Sequence, residues 1–152
     1  MSPKSLFRLV AIAEAVTWTL LIAGLAIRAV EPELRVAVTV GGGIHGFVFL
    51  AYAATAVVTA LNQRWSLGTA VLAVGSAVIP YATIPVDVWL HRSGRLEGAW
   101  RVEAGDDPRD ARAVDRLLRW FLARPLAFLG LALALVTAVF AALLLAGPPG
   151  GQ

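Results

Sequence analysis

Four stretches of this chain, at about residues 6–28, 37–61, 67–90 and 126–146, are each long and apolar enough to cross a lipid bilayer. A spanning helix needs about 20 mostly apolar residues, and no other feature limits the fold as tightly. In lipid each backbone amide must find its partner inside the protein, so such stretches are read as helices. The expected fold is all-α, a polytopic transmembrane helical bundle of four spans. Composition agrees: of 152 residues, 59% are hydrophobic and 15% charged, where a soluble domain carries about 25% charged residues.

With no cysteine in the chain, disulfides, thiolate metal sites and cysteine nucleophiles are excluded. The isoelectric point near 10.2 does not point to nucleic acid. The basic residues sit at the borders of the apolar stretches, where they set topology or touch anionic lipid. The expected partners are therefore the lipid bilayer and a protein partner or homo-oligomer within it, with no nucleic acid. Lys4 and Arg8 precede the first apolar run as in a signal peptide. That run exceeds the 7–15 residues of a signal core and is interrupted by Glu14, so it reads as a retained helix.

Arg28 and Glu31-Pro32-Glu33 end the first span. Asn62 to Ser66 makes a polar turn, with Trp65 suited to the headgroup layer. Pro80 and Pro85 are expected to kink the third span, and Asp87 reads as an interfacial residue near Arg92. Residues 91–124 form a charged loop, where Asp107 reads as an N-cap with Pro108 in the first helical position. Val114, Leu117, Leu118 and Phe121 then recur at helical spacing, with Arg109, Arg112, Arg116 and Arg119 on the other faces. This predicts an amphipathic surface helix near 108–123, in the loop before the last span. It either lies on the bilayer or packs on the loop ends. The last span carries no charge and reads as an anchor, and the tail Gly147–Gly151 reads as disordered. The chain thus divides into a three-span unit at 1–90, the loop at 91–124, and a fourth span with its tail at 125–152.

With four spans, ten arginines (Arg28, Arg35 and the eight from Arg92 to Arg124) fall on one side, against Lys4, Arg8 and Arg64 on the other. The positive-inside rule then places the 91–124 loop in the cytoplasm and both termini outside, in a bacterial inner membrane.

Two ionisable residues lie within the apolar stretches. Glu14 shares a helix face with Thr17 and Trp18, and His45 shares a stripe with Gly41, Phe49 and Tyr52. A charge at membrane depth is costly, so such residues face a protein interior. At 1.5 Å per residue, Glu14 lies about 21 Å and His45 about 12 Å from the loop joining their helices, so Thr17 and Trp18 match the depth of His45 better. A polar ladder of Glu14, Thr17, Trp18 and His45, with Tyr52 on the side of Glu14, is expected between the first two helices. Gly42 and Gly46, in small-xxx-small spacing, are expected to let the helices pack closely. The ladder has two readings: a proton-titrating or ligand-binding site, or hydrogen bonding that sets helix register. Haem ligation is not expected, because His45 lies within a span and His91 at the end of another. A third metal ligand is also missing. Neither cofactor, metal nor catalytic residue is expected.

Phe7-Arg8, Ala13-Glu14-Ala15 and Trp18 are followed by Gly42-Gly43-Ile44-His45-Gly46 with Phe49 and Tyr52. Next come Arg64-Trp65-Ser66 and Ile79-Pro80 with Thr83. In these pieces the chain resembles the DUF3817 family of small bacterial membrane proteins over about residues 5–90. That resemblance implies a multi-span inner-membrane protein and no particular activity. The sequence itself favours a non-enzymatic subunit, assembly or regulatory factor of a membrane complex, because it lacks a polar pathway. The alternative is a small oligomeric transporter or channel, proton-linked through Glu14 and His45.

Overall fold

The computed structural model describes residues 1–146. Among them are six α-helices and no strand: α1 (Pro3–Val30), α2 (Arg35–Asn62), α3 (Leu67–Gly75), α4 (Thr83–Arg92), α5 (Ala113–Leu122) and α6 (Pro125–Ala146). The expectation of a disordered tail falls outside the described residues. Three helices, α1, α2 and α6, are long and apolar enough to cross a membrane.

The four-span expectation needs correction at residues 67–90. This stretch is not one helix but two short ones, and they point in opposite directions. After α3 the chain tightens into a 3₁₀ turn at Ser76–Val78. Pro80 cannot continue a helix, and Tyr81 (φ 64°) occupies the left-handed region that reverses the chain. Pro85 is tolerated because it sits in the first turn of α4, where backbone N–H groups lack helical partners anyway. The contacts fix the direction. The Trp18 indole reaches Ala77 O and the Tyr81 hydroxyl reaches Thr19, whereas Thr83 binds Ala11 O and Asp87 binds Arg8. Along α1 these partners run from residue 19 back to residue 8, so α4 returns to the end from which α3 entered. Because α1 is about 42 Å long at 1.5 Å per residue, and Thr19 lies about 24 Å from its start, the tip of this hairpin sits beside the middle of α1. Residues 67–92 thus form a re-entrant helical hairpin rather than a kinked span.

This reversal gathers the N-terminus, the 63–66 turn and the 93–124 loop at one end. There Trp100 donates to Met1 O (2.9 Å) and the Trp65 indole donates to Arg95 O (2.8 Å). The expected separation of the N-terminus from the 91–124 loop is therefore corrected as well. Helix α6 runs antiparallel to α2, with Phe128 beside Val58 and Phe140 beside Phe47, so it crosses to the far end.

The core lies where the hairpin fills the space beside α1 and α2: Phe7, Ala11, Tyr52, Ala56, Ala73, Ala77, Leu90 and Leu96. At the far end α1 and α2 nearly touch. A Cβ on Gly24 would come within 2.7 Å of Ala37 O, and one on Gly41 within 2.8 Å of Leu20 O. Neither position admits a side chain.

The expected helix at 108–123 is also shorter. Asp107 does cap a turn, accepting from the Arg109 amide, but that turn is a 3₁₀ helix at Pro108–Ala111. The chain is extended at Arg112 before α5 begins. Asp110 accounts for the interruption, because it collects Arg64 (2.6 Å), Arg101 (3.0 Å) and Arg119 (2.9 Å) at once.

Candidate functional site: an enclosed polar cluster against a re-entrant hairpin

Phe7, Ala11, Glu14 and Thr17 recur at three- and four-residue spacing along the buried stripe of α1. On α2 the buried His45, Tyr52, Ala56 and Thr59 follow at spacings of seven, four and three residues, which keeps them on one face. The two stripes face each other, and the hairpin packs on both. Glu14 is fully buried, and Thr17 and His45 nearly so.

Thr17 is the junction. Its hydroxyl lies 3.0 Å from the Glu14 carbonyl and 3.2 Å from His45 Nδ1. With the hydroxyl donating to that carbonyl, Nδ1–H donates to Thr17 Oγ1, which fixes the imidazole tautomer. Glu14 Oε2 stands 3.5 Å from Thr17 Oγ1 and 3.6 Å from Nδ1, so the carboxyl lies beside the imidazole, just beyond direct hydrogen-bond distance. The Trp18 ring covers His45 at 4.3 Å between centroids. Glu14 Oε1 is buried and has no hydrogen-bond partner among the described residues.

Trp18 and Tyr52 have a second role. The Trp18 indole N–H donates to Ala77 O (3.2 Å), and the Tyr52 hydroxyl donates to Ala73 O (3.0 Å) while meeting Ser76 Oγ at 3.0 Å. These carbonyls lose helical partners where α3 gives way to the turn. Side chains from α1 and α2 replace them, as a break at membrane depth requires. Tyr52 therefore faces the hairpin, and its hydroxyl does not bond to Glu14. Thr83 completes the set by donating to Ala11 O (3.0 Å).

Glycine placement differs from the sequence expectation. The close backbone approach belongs to Gly24 and Gly41. A Cβ on Gly42 would meet only the Leu21 side chain at 3.7 Å, and Gly46 faces Phe140 of α6. Asp87 pairs with Arg8 at 3.1 Å rather than with Arg92, joining α4 to α1.

The segment carrying the polar cluster and its contacts with the hairpin, residues 4–92, matches the family described as a domain of unknown function, DUF3817. The chain belongs to the DUF3817 family. A Streptomyces coelicolor protein named as a membrane protein, SCO5905, is 36% identical over 91 residues, 59% of this chain. Those residues make up only 11% of the relative, so the chain spans about a tenth of that protein's length. No solved structure matches the chain at a significant level. The DUF3817 region closes at the last residue of α4, leaving α5 and α6 outside it. Within it, sequence reasoning missed Ser76 and the Thr19–Tyr81 contact, and named Thr83 only as part of the family resemblance, not as a tether. The available signal was Gly75-Ser76 followed by two prolines five residues apart.

Proposed function

We propose that the chain is a non-enzymatic accessory subunit of a bacterial inner-membrane complex. The observation that carries this reading is enclosure. Glu14, Thr17 and His45 are buried against one another, and Trp18, Tyr52 and Thr83 spend their polar atoms joining α1, α2 and the hairpin. An apolar cavity of about 230 Å³ lies between α1, α2 and α6 and is lined by neither Glu14 nor His45. A conducting protein needs a polar route that reaches its buried acid, and this arrangement favours a rigid module instead. The Streptomyces relative supports the same reading, since there the matched region is a small part of a much longer protein.

The proposed orientation places the N-terminus and the 93–124 loop in the cytoplasm. Lys4, Arg8, Arg64 and the eight arginines from Arg92 to Arg124 share that end, whereas Arg28 and Arg35 mark the other. Such a bias sets orientation. Helix α5 then lies at the cytoplasmic interface, with Val114, Leu117 and Trp120 exposed toward lipid and Arg124 stacked on Trp120 at 4.4 Å.

A second reading, a proton-linked transporter, draws on the unpartnered Glu14 Oε1. Reconstitution in liposomes separates the two. The subunit reading predicts no proton or solute flux that Glu14→Gln abolishes, and a native assembly much heavier than the chain after extraction in mild detergent. Glu14-dependent flux with no larger assembly would overturn it.

A further inference from the structure

Residues Val78, Ile79, Pro80 and Tyr81 form the tip of the hairpin, and all four are exposed, Val78 at 66% and Ile79 at 61%. The contacts of Trp18 and Tyr81 with α1 put this tip beside the middle of a helix long and apolar enough to cross a membrane. Ala82 N–H reaches Ile79 O and Ile84 N–H reaches Tyr81 O. Among the described residues nothing donates to the carbonyls of Val78 and Pro80, and the Tyr81 amide is left free by the same turn. Non-helical backbone at membrane depth is tolerated only where protein covers it or it lines water, because each unsatisfied group in hydrocarbon costs several kcal/mol. Acyl chains offer no donor. The tip therefore does not face lipid.

We infer that the tip is a docking face for a membrane-spanning helix of a larger protein, one presenting a hydrogen-bond donor such as Asn, Gln or a hydroxyl at mid-depth. This rests on the subunit reading above and names its contact. Two observations select the occupant. A second copy of this chain would bring two more acceptor carbonyls against a single free amide, and the Tyr81 hydroxyl is already engaged with Thr19 at 3.3 Å. The exposed face of α3 that leads to the tip, Leu67, Val71 and Leu72, is apolar and adds no donor. In the Streptomyces relative, moreover, the residues aligned with this region belong to a far longer membrane protein.

The test is a photo-crosslinking residue (benzoylphenylalanine) in place of Ile79 in the full chain, expressed in its host membrane. The same residue in place of Leu131, on the exposed side of α6, is the control. The expected result is a heavy adduct from Ile79 and none from Leu131, with the crosslinked peptide mapping to a membrane-spanning segment that carries such a donor. Val78→Trp should abolish the adduct while leaving the thermal transition in detergent unchanged. An adduct of twice the chain's mass, lipid adducts alone, or labelling of Ile79→Cys by a membrane-impermeant maleimide would each overturn the inference. A native assembly that persists while Ile79 fails to crosslink defeats the docking face and spares the subunit reading. The absence of any assembly defeats both.

Discussion

The hairpin-bearing part of the molecule and its last helix are both apolar, yet they are held in place very differently. Residues 4–92 are tied by hydrogen bonds from Trp18, Tyr52 and Thr83 to backbone carbonyls, by Arg8 to Asp87, and by two helix backbones in contact at Gly24 and Gly41. Helix α6 is more apolar still, and Val136 is its one buried residue among those described. In water apolarity drives burial. In lipid it only licenses residence, and helices associate through close packing and hydrogen bonds. The polar residues therefore specify the bundle, while α6 is held by Phe128, Phe140 and the bilayer.

The sharpest way to break this contrast is to add volume to each part. Gly41→Leu or Gly24→Leu drives a side chain into backbone and should cost about 3 kcal/mol or abolish the folded protein. Gly130→Leu on α6 meets open space and should leave the detergent melting transition unchanged. Equal effects at both places would erase the distinction.

A smaller effect is expected from the backbone tethers. Trp18→Phe strands Ala77 O, and Tyr52→Phe leaves Ala73 O to Ser76 alone. Intramembrane hydrogen bonds are worth about 0.6 kcal/mol on average and reach about 1.7 kcal/mol. Trp18→Phe should lie at the upper end of that range, and unfolding in mixed detergent micelles measures it.

Coupling within the polar cluster should be smaller again. If Glu14, Thr17 and His45 act as one network, Glu14→Gln with His45→Ala should destabilise less than the two single changes added together. The expected difference is about 0.5–1 kcal/mol. Strictly additive shifts would show that the residues share a place without sharing an interaction.

The smallest effect concerns the 93–124 loop and its pH dependence. The Arg109 side chain and amide hold Asp107 well below the usual carboxylate range, and the Gly105 amide, with Arg64 and Arg119, lowers Asp110. Groups with depressed folded values add stability that is complete above the ordinary aspartate value of about 4 and is lost as pH falls below it. Limited proteolysis of the 93–124 loop should therefore accelerate progressively as pH falls below about 4, while the membrane core resists.

The sequence disclosed much of the polar cluster because depth along a helix is arithmetic. Thr17 reads level with His45, and the two side chains lie 3.2 Å apart. Direction is not arithmetic. Hydropathy measures solubility in lipid, so the apolar stretch at 67–90 looks the same whether it crosses or returns. Only Gly75, Pro80 and Pro85 hinted at a reversal. Facing was similarly ambiguous at Gly41-Gly42-Gly43, where adjacent glycines offer several helix faces, and the position of α1 selects Gly41. The loop's interruption at Arg112 depends on arginines of α2, α5 and the preceding loop meeting at Asp110, a convergence invisible to local spacing.

The re-entrant hairpin is the central claim, and the absence of native cysteine makes it directly measurable. Ser66, Ser93 and Glu33 can each be replaced by a single cysteine and labelled with an impermeant maleimide in intact cells and in inverted vesicles. The structure predicts that Ser66→Cys and Ser93→Cys react from the same side and Glu33→Cys from the other. Labelling of Ser93→Cys together with Glu33→Cys would show that residues 67–92 cross the membrane and would contradict the account.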